Sequence, residues 1–182
     1  MENRGQIYAT DIDKRQLAPI HERLARAGAR NVQVRTPRGE ADVLADLAGR
    51  IDLALIDAPC TGTGGWRRNP DAKWRVRPGA LEQRLKQQAA LLDRAATLVK
   101  PGGRIAYITC SVLAEENDNQ VRAFIQRSAD FSVEKPTSLA RPLGDRAYLF
   151  DRAALISEAG LLMTPRRTDT DGFFVSLLRR IA

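Results

Sequence analysis

Ile51-Asp-Leu-Ala-Leu-Ile-Asp57-Ala-Pro-Cys60-Thr-Gly-Thr-Gly-Gly65-Trp-Arg-Arg-Asn-Pro70-Asp-Ala-Lys-Trp-Arg75 is the stretch on which the reading of this chain turns. Its apolar run, Leu53 to Ile56, has the length of a strand buried on both faces. The strand stops at Asp57, Pro59 fixes the backbone, and Cys60 falls in a tight loop. Thr61 to Gly65 lets the backbone approach a ligand closely, and two tryptophans among four cations follow. A carboxylate, a thiol, an open loop and a basic aromatic apron thus gather at a strand's carboxyl end, where open α/β sheets bind ligands. The same residues also read as a Gly-rich turn with a structural cysteine.

Working outward, 182 residues suit one domain with a full core. Hydrophobic residues make up 43% and charged residues 28%, ordinary values for a globular chain. No apolar run has the length of a membrane span, and Met-Glu-Asn-Arg-Gly at the amino end has no signal-peptide character. Two cysteines and one histidine, His21, without CxxC or HxxxH spacing argue against a metal site. Reduced thiols and a cytoplasmic monomer, away from membranes, are the expectation. The net charge is +7, and the segment Trp66–Lys86 alone carries +5, from seven cations against Asp71 and Glu82. A solvated face explains such a run, but its place directly after the thiol loop favours a polyanion partner.

Strands alternate with helices along the chain. Gln6–Thr10 reads as a strand, Lys14–Ala27 as a helix interrupted by Pro19 and stopped at Gly28, and Asn31–Arg35 as a second strand. A short helix is expected over Glu40–Ala48. After the Leu53–Ile56 strand and its long loop, Pro78 opens a helix with Leu81, Leu85, Ala89, Leu92, Ala96 and Val99 at helical spacing. Lys100-Pro-Gly-Gly103 ends it, and Arg104–Thr109 is another buried strand. Glu115 and Glu116 favour the start of the next helix through its dipole, with Val121, Phe124 and Ile125 on its apolar side. Phe131–Glu134 reads as a strand and Lys135–Asp151 mostly as loop. Leu161–Met163 and Phe173–Leu178 resemble antiparallel strands joined across Thr168–Gly172. This alternation implies an α/β, mostly parallel, doubly wound sheet. No Gly-rich turn of the kind that receives a cofactor's phosphate or carboxylate precedes Gln6.

Two further residues are candidates. Asp11 ends the first strand, where an acid can accept hydrogen bonds from ribose hydroxyls, although acids there also cap helices and Asp13 suits that role better. Cys110 follows the Ile105–Ile108 strand just before a helix, whose dipole would lower its pKa. A lone cysteine there is more often small core filling. Parallel neighbouring strands, however, would bring Cys60 and Cys110 together.

Asp57-Ala-Pro-Cys60-Thr-Gly-Thr-Gly, Arg68-Asn-Pro-Asp71-Ala-Lys-Trp74, Thr109-Cys-Ser-Val-Leu-Ala-Glu-Glu-Asn117 and Thr170-Asp-Gly-Phe-Phe174 closely resemble the RsmB/Sun family of RNA (cytosine-5) methyltransferases. The resemblance runs from Gln6 to Arg180. It implies S-adenosyl-L-methionine as cofactor, an rRNA or tRNA substrate, and the class I (Rossmann-like) methyltransferase sheet with an antiparallel C-terminal strand. It further implies Cys110 as nucleophile, Cys60 as the residue that helps release product, and Asp57 as the acid that meets the base. Asp11 and Asp57 become cofactor ligands. After the second strand, where the family has an acid near the adenine, this chain has Thr36-Pro-Arg38, with Asp42 as the substitute. Arg67, Arg68, Lys73, Trp74 and Arg75 become the RNA-binding apron. The family's Gly-rich cofactor motif and first strand would lie upstream of Met1, so an amino-terminal truncation is expected. The rivals are a DNA cytosine-5 methyltransferase, in which the Pro-Cys thiol attacks and no Thr-Cys partner is needed, and an RNA-binding remnant without catalysis.

Overall fold

A computed structural model describes residues 1–39 and 41–181. The chain divides into two compact units, Met1–Ala48 and Gly49–Ala182.

The first unit holds two short parallel strands, β1 (Ile7–Ala9) and β2 (Val32–Val34), with Ile7 opposite Val32. The helical stretch between them is two helices, α1 (Lys14–Leu17) and α2 (Ile20–Arg26), divided at Pro19. Proline lacks the N–H that would continue the ladder. Asp13 caps α1 by accepting from the Arg15 N–H at 2.9 Å. The helix expected over Glu40–Ala48 is only a 3₁₀ turn at Ala45–Leu47, and Glu40 lies outside the described residues.

The second unit is a mixed sheet with helices packed on it. In chain order come β3 (Ile51–Asp57), α3 (Ala80–Leu98), β4 (Val99–Thr109), α4 (Asp118–Arg127) and β5 (Phe131–Val133). A 3₁₀ stretch at Pro136–Arg146 and α5 (Ala147–Ala153) occupy the segment expected as loop. Then come β6 (Leu155–Ile156), β7 (Leu161–Met163), α6 (Pro165–Thr168) and β8 (Phe173–Arg180). The strand order is β3-β4-β8-β7-β6, with β5 also paired to β8. β3 and β4 are parallel, with Asp57 opposite Ile108, whereas β8 runs antiparallel to β4, β5 and β7. The antiparallel part thus extends beyond the closing strand. One face of the sheet buries Ile56, Ile105, Tyr107 and Phe174 against Leu92 and Ala95 of α3 and Val121 and Phe124 of α4.

β3 departs from the expected two-sided burial. Ile56 belongs to the core, but Leu53 and Leu55 are 52% and 65% exposed. Side chains alternate between faces along a strand, and β3 ends the strand order with β4 as its only partner among the described residues.

Candidate active site

Because β3 and β4 run parallel and in register, the loops leaving their carboxyl ends lie side by side. Ala58 N–H donates to Ile108 O at 2.9 Å, and Gly64 N–H to Cys110 O at 3.0 Å. This brings the two half-buried thiols together, with Cys60 Sγ 3.1 Å from Cys110 Sγ. Asp57 ends β3 with its side chain exposed.

A buried polar network holds the two loops. Glu116 accepts from Thr61 N–H at 2.8 Å, from Thr61 Oγ1 at 2.5 Å and from Gln88 Nε2 at 3.1 Å. Gln88 Nε2 also donates to Pro59 O at 3.0 Å, so a residue in the middle of α3 fixes the residue before Cys60. On the other strand, Tyr107 donates its hydroxyl to Glu116 O at 2.7 Å, and Thr109 Oγ1 donates to Asn117 Oδ1 at 2.6 Å. Asn117 Nδ2 closes the turn on Ser111 O at 3.0 Å. Gln88, Tyr107, Thr109, Glu116 and Asn117 have no exposed surface. Buried polar groups are tolerated when their donors and acceptors are met; Gln88 Oε1 alone in this network has no partner among the described residues, and the other bonds rigidify both thiol loops. Glu116, expected to favour the start of the next helix through its dipole, is instead the buried clamp of the Cys60 loop.

The helix expected to lower the Cys110 pKa does not follow it directly. α4 begins at Asp118, and residues 111–117 fold as turns. The thiol is nevertheless held down to about 7, first by the hydrogen bond from Cys60, against burial and the negative charge of Asp57. The same bond pushes the Cys60 thiol far up, with burial and the Cys110 charge adding to it. The balance favours the proton on Cys60 and the negative charge on Cys110.

The cofactor candidates fall in both units. In the first, Asp11 Oδ1 accepts from Asp13 N–H at 2.7 Å, while its Oδ2 makes no hydrogen bond among the described residues. Asp42 Oδ1 closes a turn on Leu44 N–H at 3.0 Å. In the second, Asp57 is open. Asp11 and Asp57 are acceptors at the carboxyl ends of strands, which fits the hydroxyl and amino groups of an adenosyl amino acid. Asp42, occupied in its own turn, fits less well.

The basic apron separates into two groups. Arg68 makes a bidentate ion pair with Asp171, and Arg67 lies 3.5 Å from Asp169. These acids follow the arginines by about a hundred residues in sequence, and counting them lowers the local charge from five to three. Lys73, Trp74 and Arg75 are exposed, with Lys73 Nζ 4.8 Å from the Trp74 ring centroid. Trp74 is 79% exposed, whereas Trp66 is half-buried with its Nε1 enclosed. Of the two tryptophans, only Trp74 presents a free stacking face.

The β7–β8 connection packs against the thiol loop. Gly172 N–H donates to Gly64 O at 2.9 Å, and a Cβ on Gly172 would lie 2.7 Å from Gly64 Cα. Neither glycine is in the left-handed region. Both are there because two backbones touch.

Residues 1–179 match the family model described as 16S rRNA methyltransferase RsmB/F. The ribosomal RNA small subunit methyltransferase B of Salmonella typhi is 36% identical over 162 residues, covering 85% of this chain and 37% of that protein. The Citrobacter koseri protein of the same name is 33% identical over 176 residues, covering 96% of this chain and 36% of its own. The chain therefore spans little more than a third of the length of these relatives. Among solved structures, PH0851 superposes with a TM-score of 0.80 at 30% identity, covering 99% of this chain and 38% of that one. NSun6 from Pyrococcus horikoshii with SFG superposes with a TM-score of 0.67 at 25% identity, covering all of this chain and 43% of that one.

Proposed function

The chain belongs to the RsmB/F family of 16S rRNA methyltransferases, and from that premise we propose that it carries the catalytic centre for methylation of cytosine C5 in RNA. The observation that supports this most is the thiol pair, 3.1 Å apart, with Cys110 held down to about 7 by its neighbour. S-adenosyl-L-methionine, with Asp57 among its ligands, would supply the methyl group.

Carbon 5 of cytosine is a poor nucleophile until another group adds to the ring. The Cys110 thiolate adds at C6, forming a C–S bond while the ring's electrons move toward C5 and N3. Asp57, open at the end of β3, meets the base at N3 and holds the proton that N3 takes up as electrons move there. Once C5 is methylated, its proton must leave so that the C–S bond can break and Cys110 depart as thiolate.

Cys60 is suited to that second half. Its proton is held first by the hydrogen bond to the Cys110 thiolate, then by burial, then by that thiolate's charge. When Cys110 becomes a neutral thioether, the first and last of these vanish and Cys60 ionises more readily than before. It can then take the C5 proton that it could not have taken at the start. The pair works in sequence because only one of two touching thiols ionises readily at a time.

Cys60→Ala tests this. The variant should accumulate a covalent protein–RNA adduct through Cys110, seen as a retarded band on denaturing gels with cofactor present. Undiminished turnover without any adduct would leave Cys60 a structural residue and overturn the mechanism.

A further inference from the structure

Beside the thiols lies a cleft of about 460 Å³, floored by Cys60 and Thr61 and walled by Arg75, Arg77, Gly79 and Arg84. No Asp or Glu lines it. The side chains of Arg75 and Arg77 make no hydrogen bond or ion pair among the described residues, and Arg84 donates only to the neutral Gln87, at 2.9 Å. Three guanidinium charges thus converge, uncompensated, on a concave surface that opens at Cys60. Arg67 and Arg68 differ, since each carries its own carboxylate.

Resting on the proposed activity, we infer that this cleft is the seat of the RNA backbone beside the target cytosine, with Arg77 and Arg84 as the principal phosphodiester ligands and Arg75 assisting. Like charges remain close together without acids where an anion completes the site, and a guanidinium fork matches two phosphate oxygens. Thr61 cannot compete for the phosphate, because its N–H and its hydroxyl are both given to Glu116. Gly79, at φ +78° and with open space where a Cβ would stand, keeps the wall low at the start of α3. Val76 and Pro78 add apolar surface for the sugar. A strand lying here with its phosphates on Arg77 and Arg84 runs past Cys60, so an unstacked base turns toward Cys110 without further movement of the chain. The apron sorts accordingly: Arg67 and Arg68 fasten the loop to Asp169 and Asp171, while the cleft arginines hold the RNA.

Binding of a single-stranded RNA oligonucleotide to this chain, measured over a range of salt concentrations, tests the assignment. Each phosphate contact on single-stranded nucleic acid contributes about 0.7 to the slope of log affinity against log salt. Arg77→Gln with Arg84→Gln should lower that slope by about 1.4, and Arg67→Gln with Arg68→Gln by less than half as much. Arg77→Lys with Arg84→Lys should keep most of the slope, which separates charge from fold. An unchanged slope in the glutamine cleft variant, or equal losses in the two glutamine pairs, overturns the assignment. The same substitutions in the Cys60→Ala background give a second readout. Adduct should fall at limiting RNA and return at saturating RNA. If Cys60→Ala with intact arginines forms no adduct at any RNA concentration, the proposed chemistry fails while the slopes still judge the cleft.

Discussion

Thr61 surrenders both of its donors to Glu116, a carboxylate fifty-five residues further along the chain. The residue next to Cys60 is therefore held from inside the protein, with no exposed surface left on the acid. Glu116→Ala leaves both Thr61 donors without an acceptor and takes one of two from Gln88 Nε2, and should destabilise the chain by about 3 kcal/mol. Glu115→Ala, at an exposed position, should stay within about 0.5 kcal/mol. Urea unfolding of the two variants checks this, and equal midpoints would remove Glu116 from its structural role.

The contact between Gly64 and Gly172 has no slack. A methyl group on Gly172 would meet Val112 Cγ1 at 2.6 Å as well as the facing backbone. Gly172→Ala should cost about 2 kcal/mol, as overpacking generally does, and should lower methyl transfer by displacing the loop that carries Cys60. Gly65→Ala, where a Cβ meets nothing within 4 Å, should be near neutral in stability. Thermal unfolding and a methyl-transfer assay separate the two.

The thiol pair fixes a pH dependence. With Cys110 held near 7, its thiolate fraction falls as pH drops below that value. Alkylation of Cys110 by iodoacetamide, and methyl transfer by a competent enzyme, should then decline about tenfold per pH unit on the acid side. Removing the donor removes the main cause of the depression. Cys60→Ala should accordingly move the acid limb of Cys110 alkylation to higher pH. An unmoved limb would show that the thiol's acidity comes from elsewhere.

Cys110→Ala should abolish methyl transfer while leaving RNA affinity within about a factor of two of the parent, since the phosphate ligands proposed here lie on the other loop. Filter binding and methyl incorporation measured on one preparation check it. Retained methylation at the parental rate would transfer the nucleophile's role to Cys60.

The thiol pairing was legible in sequence because it depends on local facts. Two short apolar runs each end in a cysteine loop, and parallel neighbours align their carboxyl ends, which β3 and β4 do with Asp57 opposite Ile108. The closing antiparallel strands were legible for the same reason. Glu116 was not, since an acid ahead of a helix looks alike whether solvated or buried, and its partners are 28 and 55 residues away. The available signal was Gln88, a polar side chain on the apolar stripe between Leu85 and Leu92. The ion pairs of Arg67 and Arg68 were hidden likewise, because Asp169 and Asp171 reach them only through the fold. Leu53 and Leu55 misled through composition: an unbroken apolar run implies two covered faces, but a strand at the end of the order need not have them.

The position of β8 has a consequence for synthesis. It follows both cysteine loops in the chain, yet it lies between β4 and β7 and also carries β5. A nascent chain therefore has both cysteine loops outside the ribosome before the strand that packs between β4 and β7 has been made. Until Phe173–Arg180 is inserted, Gly172 cannot dock on Gly64, and β4 lacks its second neighbour. Because such distant pairings form late in folding, the Gly64–Gly172 contact that packs the Cys60 loop is among the last to close.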